Sequence, residues 1–377
     1  MEQRQSVDFW LLISTLILAG IGLVMVYSSS MVVTMDSQGD GMYFFKKQAV
    51  RMLLGLVIMM LLTKVNYRGY AKLANGLLVF GFILLTMLLF QGRGGRGVDR
   101  WLRIFGFSFQ PSELMKVIMV VFLSAAIARM GEKIRDFKKG FLPLLGAIGA
   151  AFALIVIEPD LGTAGLVLAI GFIILFVGRA KFTHLLLVTM PSLAVVSLIA
   201  WKVPYMQRRI DLFLNPEAGY QVQQSIIGIG SGGVFGVGLG NSVQKFYFLP
   251  ERHTDFVFSI FAEEAGLAGT TLLLCVMFLY LYRGLKVAEH APDVFGFLMA
   301  TGLTMMTGMQ IFINIGVATR LLPTTGMTLP FISYGGSSLI LSFIATGILL
   351  NISKQANVEK RMSREFGSRL HKRSVWQ

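Results

Sequence analysis

The chain has 377 residues, of which 55% are hydrophobic and 14% are charged, with a formal net charge of +14. Because soluble domains carry about 25% charged residues, this composition excludes a soluble globular protein and predicts an integral membrane protein. Most basic residues flank apolar segments, as the positive-inside rule and anionic lipid headgroups favour, so the positive charge does not indicate nucleic-acid binding.

Apolar runs of about 20 residues recur along the chain, and each is long enough to cross about 30 Å of hydrocarbon as an α-helix. With basic residues at alternate turns, they predict an all-α membrane protein of ten transmembrane helices whose two termini are both cytoplasmic. Residues 1–377 would form a single polytopic membrane domain. The predicted spans lie at about 9–30, 48–63, 73–90, 111–129, 141–157, 161–178, 183–201, 256–282, 294–316 and 339–352.

Three segments outside these spans have a recognisable character. Residues 202–255 would form a large extracytoplasmic loop between helices seven and eight, too long to be structureless. Tyr220 and Ile226, among glutamines, predict that part of this loop lies in the membrane interface. The glycines and prolines of residues 316–338 favour a folded or re-entrant loop over a helix, and residues 353–377 form a basic cytoplasmic tail.

Basic residues in the loops assigned to the outer face need a separate explanation, because they oppose the positive-inside rule. Binding of an anion at the outer surface is the simplest one, since a guanidinium group matches phosphate oxygens bidentately. The alternative is pairing with the few acids nearby. These outer cations are Arg93, Arg96, Arg100, Arg103, Lys202, Arg208, Arg209, Lys245, Arg252 and Arg320.

The segment 249–256 concentrates ionisable residues at the mouth of the eighth predicted span, namely Glu251, Arg252, His253 and Asp255. Charged groups at such a place are costly and indicate function. An ordinary polar loop at the interface, or a helix cap formed by Asp255, would explain the same pattern without any chemistry.

Other polar residues allow more than one interpretation. Glu113 and Lys116 lie three residues apart on one helix face, where they form a structural ion pair or line a polar pocket. Asp160 either stabilises a helix start through the helix dipole or belongs to a pocket. The histidines are scattered, so no histidine-built metal site is predicted. Two G-x-G-x-x-G matches, at Gly92 and Gly228, lack the βαβ context of a dinucleotide site.

Several long motifs follow one another along the chain. They are Trp101 followed by Gln110-Pro111-Ser112-Glu113-x-x-Lys116, then Glu158-Pro159-Asp160-Leu161-Gly162-Thr163, Leu249-Pro250-Glu251-x-His253-Thr254-Asp255-Phe256 and Pro330-Phe331-Ile332-Ser333-Tyr334-Gly335-Gly336-Ser337-Ser338. In content and order these motifs resemble the SEDS family of shape, elongation, division and sporulation proteins. The glycine-rich run at 236–240 is more similar to the division and sporulation branch than to the elongation branch.

The resemblance implies ten helices in the bacterial inner (cytoplasmic) membrane and a peptidoglycan glycosyltransferase that polymerises lipid II during cell division or cell elongation. A class B penicillin-binding protein would supply transpeptidation, together with other proteins of the division or elongation complex. Asp255 would be the catalytic general base and undecaprenyl pyrophosphate the leaving group, while arginines or a divalent cation (Mg²⁺ or Mn²⁺) would stabilise the developing charge. The implied substrate-binding residues are Glu113, Lys116, Arg100, Asp160, Arg208, Arg209, Lys245, Arg252, His253, Ser337 and Ser338.

Two functions of other classes stay open at this point. A lipid II flippase would favour discontinuous helices and charges near the membrane midplane, whereas the distinctive acids and arginines here cluster at one face. A non-catalytic scaffold of the division complex would not need Asp255 among so many outer cations.

Overall fold

The computed structural model describes residues 7–374 except 91–92, 95–96, 99, 105–106, 203, 216–218 and 247. This part of the chain is mostly helical. The helices are α1 (Phe9–Gln38), α2 (Tyr43–Leu62), α3 (Arg68–Phe90), α4 (Pro111–Met130), α5 (Leu142–Ile157), α6 (Leu161–Val177), α7 (Phe182–Lys202), α8 (Pro204–Leu214), α9 (Tyr220–Ser231), α10 (Val257–Glu289), α11 (Val294–Ala318) and α12 (Gly336–Ser374).

Each of the ten predicted spans falls on one of these helices, and α8 and α9 lie within the predicted extracytoplasmic loop. Seven described helices (α1, α3, α4, α5, α10, α11 and α12) are long and apolar enough to cross a membrane, and α6 and α7 contain shorter apolar segments. The first half of α2 carries Lys46, Lys47 and Arg51. The structure therefore has the character of a multi-pass membrane protein, while the count of ten spans stays a prediction.

The expectation of an all-α protein is wrong in the loop before α4, where two antiparallel hairpins pair β1 (Arg93–Gly94) with β2 (Gly97–Val98) and β3 (Leu102–Ile104) with β4 (Phe107–Phe109). The aromatic and β-branched residues of β3 and β4 favour extended backbone. In the tail, α12 continues to Ser374, because the sequence beyond the apolar part is rich in good helix formers and has no proline.

The helices at the centre of the bundle are α4 and α11, which are buried around most of their circumference. Both are apolar on nearly all faces, as expected of a helix surrounded by other helices. By contrast, α7 exposes large apolar side chains such as Leu187 and Met190, as expected where lipid covers a helix. The site residues on α4 and α11 are therefore held by packing on every side.

A break in α10 attaches the predicted extracytoplasmic loop (residues 202–255) to the bundle. Gly266 has φ 64° and ψ −169° and interrupts the helix, which frees backbone groups that must find other partners inside a membrane. The loop supplies them: the backbone N–H of Val237 donates to the carbonyl of Glu263 (3.0 Å). At Gly236 (φ 80°) a Cβ would lie 2.1 Å from the Glu264 carbonyl oxygen, so only glycine allows this approach. The loop is thereby fixed beside the start of α10.

Candidate active site

A cavity of about 430 Å³ lies between α8, α9, the start of α10 and the segment that follows α11. Arg208 and Arg209 reach the cavity from α8. Asp255 lies two residues before the start of α10, and Arg320 lies two residues after the end of α11. Gly326 (φ 78°) forms the wall next to the carboxylate, where an added Cβ would lie 3.7 Å from Asp255 Oδ2. One carboxylate and three guanidinium groups thus border a single cavity.

Hydrogen bonds fix the backbone on both sides of Asp255. The N–H of Asp255 donates to the Glu251 carbonyl (3.1 Å), and Ser333 Oγ donates to the Thr254 carbonyl (2.5 Å). The helix itself begins with Phe256 as its N-cap residue, and no side-chain hydrogen bond caps it. The structure therefore does not use Asp255 as the cap of α10, which leaves the carboxylate free to face the cavity.

The electrostatic surroundings raise the basicity of this carboxylate. The pKa of Asp255 is raised to about 6, chiefly by burial and also by the nearby charge of Glu251, while the Arg209 guanidinium opposes both effects. A carboxyl group with such a pKa is largely ionised at pH 7 and accepts a proton more readily than an ordinary aspartate does. The site can therefore hold a base that is active near neutral pH.

The arginines that line the cavity also contact its walls. Arg209 Nη1 donates to the Thr324 carbonyl (2.6 Å), and Arg320 Nη2 donates to the Phe213 carbonyl (3.3 Å). Each guanidinium has five N–H donors in a fixed planar fork, and these contacts orient the groups at the cavity wall. Arg208 is exposed at the rim. Arg320, although one of the outer cations, is not among the residues that the sequence assigns to the site.

Arg100 and Asp160 lie close enough to Asp255 to influence its pKa. Arg100 Nε donates to the Glu158 carbonyl (2.9 Å), and a second guanidinium nitrogen donates to the Pro159 carbonyl. Asp160 is the N-cap of α6 and accepts a hydrogen bond from the Thr163 N–H (3.2 Å). This bond fits the helix-start interpretation of Asp160. Its other carboxylate oxygen accepts hydrogen bonds from Gln110 Nε2 (2.8 Å) and Ser112 Oγ (3.3 Å), and its role in substrate binding stays a prediction.

Glu158 is a buried acid that the sequence did not single out as a site residue. Both of its carboxyl oxygens are buried and, among the described residues, neither has a hydrogen-bond partner. Burial raises the pKa of Glu158 to about 8, and the charge of Asp160 adds to the rise, while Arg100 opposes it. The side chain is therefore mainly neutral at pH 7. Its place in a loop between two spans gave no signal of this burial.

Glu113 and Lys116 form a buried ion pair, with 2.8 Å between Lys116 Nζ and Glu113 Oε1. Lys116 Nζ also donates to Gln310 Oε1 of α11 (3.1 Å), and Gln310 Nε2 lies 3.5 Å from Ser338 Oγ. Ser337 Oγ accepts a hydrogen bond from the Gln110 N–H (3.0 Å). These predicted substrate-binding residues join α4, α11 and α12 and lie outside the lining of the Asp255 cavity.

Lys245, Arg252 and His253 also lie outside that lining. Lys245 is buried, and its Nζ lies 3.4 Å from Glu264 Oε1, so an internal acid balances its charge. Arg252 is buried as well. His253 stacks on Phe44 with 4.9 Å between ring centroids, and burial lowers its pKa, which makes it neutral at pH 7. None of these three side chains lines the Asp255 cavity, and their predicted role in substrate binding stays a prediction.

Within the described ranges, no group of three His, Cys, Asp or Glu side chains could hold a metal ion. Mg²⁺ in phosphate sites usually has only one or two carboxylate ligands, with substrate oxygens and water completing its octahedron. A divalent cation at this cavity would therefore depend on the phosphate groups of a substrate, and the expected Mg²⁺ or Mn²⁺ stays a prediction.

Comparison with known proteins is consistent with this geometry. Residues 9–358 match the family described as cell cycle protein, which comprises FtsW, RodA and SpoVE. Stage V sporulation protein E of Bacillus subtilis is 40% identical over 359 residues, which cover 93% of this chain and 98% of that protein. The probable peptidoglycan glycosyltransferase FtsW of Geobacter sp. (strain M18) is 37% identical and covers 94% of this chain and 98% of its own. A chain solved within a peptidoglycan synthase complex, in work on polymerization and crosslinking, has a TM-score of 0.78 at 29% identity and covers 93% of this chain and 98% of its own.

Proposed function

The chain belongs to the FtsW/RodA/SpoVE family of cell cycle proteins, and on that premise we propose that it is a peptidoglycan glycosyltransferase that polymerises lipid II into glycan strands. The observation that supports this most directly is the cavity in which Asp255 faces Arg208, Arg209 and Arg320. A base surrounded by guanidinium groups matches a reaction in which a hydroxyl attacks a sugar that carries a pyrophosphate.

In the proposed reaction, Asp255 accepts the proton of the 4-hydroxyl of the acceptor N-acetylglucosamine. The oxygen forms a bond to the anomeric carbon of the donor, and the bond from that carbon to the pyrophosphate oxygen breaks with inversion. Inverting glycoside hydrolases need a second carboxylic acid to protonate their leaving group. Undecaprenyl pyrophosphate leaves as a stable anion without that help, so one carboxylate is sufficient.

The arginines would bind the pyrophosphate and stabilise the charge that develops on it as the bond breaks. Guanidinium groups bind phosphate oxygens through paired N–H donors, and preoriented donors of this kind are often the largest single contribution to catalysis. The wall contacts of Arg209 and Arg320 support such preorientation. A Mg²⁺ or Mn²⁺ ion bound to the same pyrophosphate would add to this stabilisation.

A class B penicillin-binding protein is the partner we propose, in the bacterial cytoplasmic membrane and with other proteins of the division or elongation complex. The similarity to a chain of a peptidoglycan synthase complex supports this choice. The similarity to a sporulation protein and to FtsW proteins supports the division and sporulation branch.

The test is polymerisation of fluorescently labelled lipid II by the purified chain, with and without a class B penicillin-binding protein from the same organism. We expect glycan strands from the wild type and a loss of about 100- to 10,000-fold in rate for Asp255→Asn, the range that general base catalysis contributes. Asparagine keeps the shape of the side chain, and membrane accumulation and partner binding are the controls for folding.

The same samples distinguish the alternatives. If the wild type moves labelled lipid II across proteoliposome membranes and makes no polymer, the flippase is correct and the proposal fails. If it binds its partner and does neither, the chain is a scaffold. A normal polymerisation rate in Asp255→Asn would remove this residue from the mechanism.

A further inference from the structure

Asn314 joins Asp255, two residues before the start of α10, to the wall of the cavity. It lies near the outer end of α11 and is 1% exposed. Its Nδ2 donates to the backbone carbonyl of Asp255 (2.9 Å) and to the backbone carbonyl of Met327 (2.7 Å). A single amide group is therefore bonded both to Asp255 and to the segment that contains Gly326.

The chemistry of these two contacts requires a double donor. Backbone carbonyls only accept hydrogen bonds, so the nitrogen of the side chain must face both of them. Asn314 Oδ1 is buried and, among the described residues, has no hydrogen-bond partner. Buried polar atoms are nearly always paired. The structure thus leaves the oxygen unsatisfied while both hydrogens of the amide are used, which indicates that the donor function is the reason for an asparagine here.

The hydrogen bond from Asn314 to the Asp255 carbonyl matters because Asp255 carries the reacting carboxylate. The other backbone bonds near Asp255 come from its own loop and from Ser333. Ser333 also links this loop to the segment after α11, because it bonds the Thr254 carbonyl and the Leu329 N–H. The Asn314 amide is bonded directly to Asp255 and to Met327 of the wall. Without it, the carboxylate could move relative to the wall, and displacement by about 1 Å can cost 100-fold in rate.

We propose that Asn314 is a positioning residue, which holds the Asp255 carboxylate at a fixed place against the Gly326 wall and the arginines of the cavity. It would touch neither substrate nor leaving group and would act only through Asp255 and Met327. This inference rests on the proposed function, since it assigns a role in the reaction for which Asp255 is the base.

The test compares lipid II polymerisation by wild type, Asn314→Leu and Asn314→Ser, each purified with its partner. Leucine is branched at Cγ like asparagine but is bulkier and has no donor, whereas serine is too small to clash and can reach one carbonyl at most. Thr346→Val is the matched control, because it removes a buried hydrogen bond to Tyr280 (3.0 Å), and neither residue lines the cavity. We expect kcat to fall about 100-fold in Asn314→Leu, by less in Asn314→Ser, and to stay near normal in Thr346→Val, with KM for lipid II nearly unchanged in all three.

A second measurement separates positioning from general stability. When Asp255 is no longer held, its carboxylate can relax toward water and lose part of the burial that raises its pKa. The charges of Glu251, Arg209, Asp160 and Arg100 stay in place, so the pH at half-maximal kcat/KM should fall below that of the wild type in the Asn314 variants only.

The outcomes are distinct. Equal kcat in wild type and both Asn314 variants overturns the inference, as does a loss of rate that follows Tm with no change in the pH profile, because that is the behaviour of a purely structural residue. If the wild type makes no polymer, it is the proposed function that fails. If Asn314→Leu does not accumulate, Asn314→Ser decides the question by the same two measurements.

Discussion

At Asp255, burial opposes ionisation, and this has opposite consequences for activity and for stability. The pKa is raised from 3.8 to about 6, so the proportion of active carboxylate grows as pH rises through 6, and kcat/KM should rise with it. A group with a raised pKa in the folded state stabilises the fold fully below its unfolded pKa, and this contribution is lost as pH rises through the folded pKa.

Asp255→Asn should therefore have a higher Tm than the wild type at pH 8, where the wild type carries a buried charge, and a similar Tm near pH 4, where both side chains are neutral. Thermal unfolding in detergent at the two pH values measures this difference. A variant that is less stable than the wild type at pH 8 would mean that the carboxylate is stabilised by its surroundings, contrary to the raised pKa.

The three cavity arginines should matter for the substrate more than for the fold. Replacing Arg208, Arg209 and Arg320 by glutamine keeps neutral N–H donors and removes three charges, so we expect KM for lipid II to rise at least tenfold and kcat to fall. The Tm should fall only modestly, because Arg208 is exposed and glutamine keeps N–H donors for the wall carbonyls that Arg209 and Arg320 contact. A matched control with the same change in charge replaces Arg135, Lys138 and Lys139 of the loop before α5. Equal kinetics in the two triple variants would exclude the arginines from substrate binding.

At the scale of elements, the ion pair of Glu113 and Lys116 links α4 to α11 through Gln310. Lys116→Met alone leaves a buried carboxylate without its partner, which costs about 3–5 kcal/mol, and Tm and polymerisation should fall together. The double variant Glu113→Leu/Lys116→Met removes both charges and should regain most of the Tm. If its Tm returns and its activity does not, the pair takes part in substrate binding, as the sequence resemblance implies.

The contact between the loop of residues 202–255 and the break in α10 requires a glycine at position 236, because the two backbones approach closely there. Gly236→Ala would place a Cβ 2.1 Å from the Glu264 carbonyl oxygen at a φ of 80°, so we expect a loss of about 1–3 kcal/mol and a lower rate, because the loop leads to Asp255. Gly230→Ala is the matched control, since a Cβ there meets nothing within 4 Å. Similar Tm values for the two variants would show that the loop does not depend on this close approach.

For the whole molecule, the distribution of basic residues predicts which face each loop occupies. With the exposed Cys275 replaced by alanine, a cysteine at Asn215 should react with an impermeant thiol reagent added outside, and a cysteine at Arg135 should react only after the membrane is permeabilised. The reason is that translocation of short basic loops is disfavoured. Labelling of position 135 from outside in intact cells would reverse the predicted orientation.

Much of the architecture was predictable because its causes are local. An apolar run as long as the hydrocarbon is thick must satisfy its own backbone groups, and a helix does this within the segment, so every predicted span coincides with a helix. The hairpins before α4 were missed because strands of two or three residues leave almost no periodic signal. The importance of the segment 249–256 was also visible, since charged residues at the mouth of a span are rare unless they serve a purpose.

The sequence by itself determined the membrane character and the helices, because each follows from residues that are neighbours in the chain. It also singled out Asp255, which the structure places at the cavity and whose role as a base stays a proposal. It could not decide which outer cations share that cavity. Lys245 and Arg320 are both basic residues in outer loops, yet one pairs with Glu264 and the other lines the cavity with Asp255. Asn314, 59 residues from Asp255, gave no local signal at all. Only the tertiary structure decides such contacts, because they depend on how separate helices pack and on which buried groups are left to pair across them.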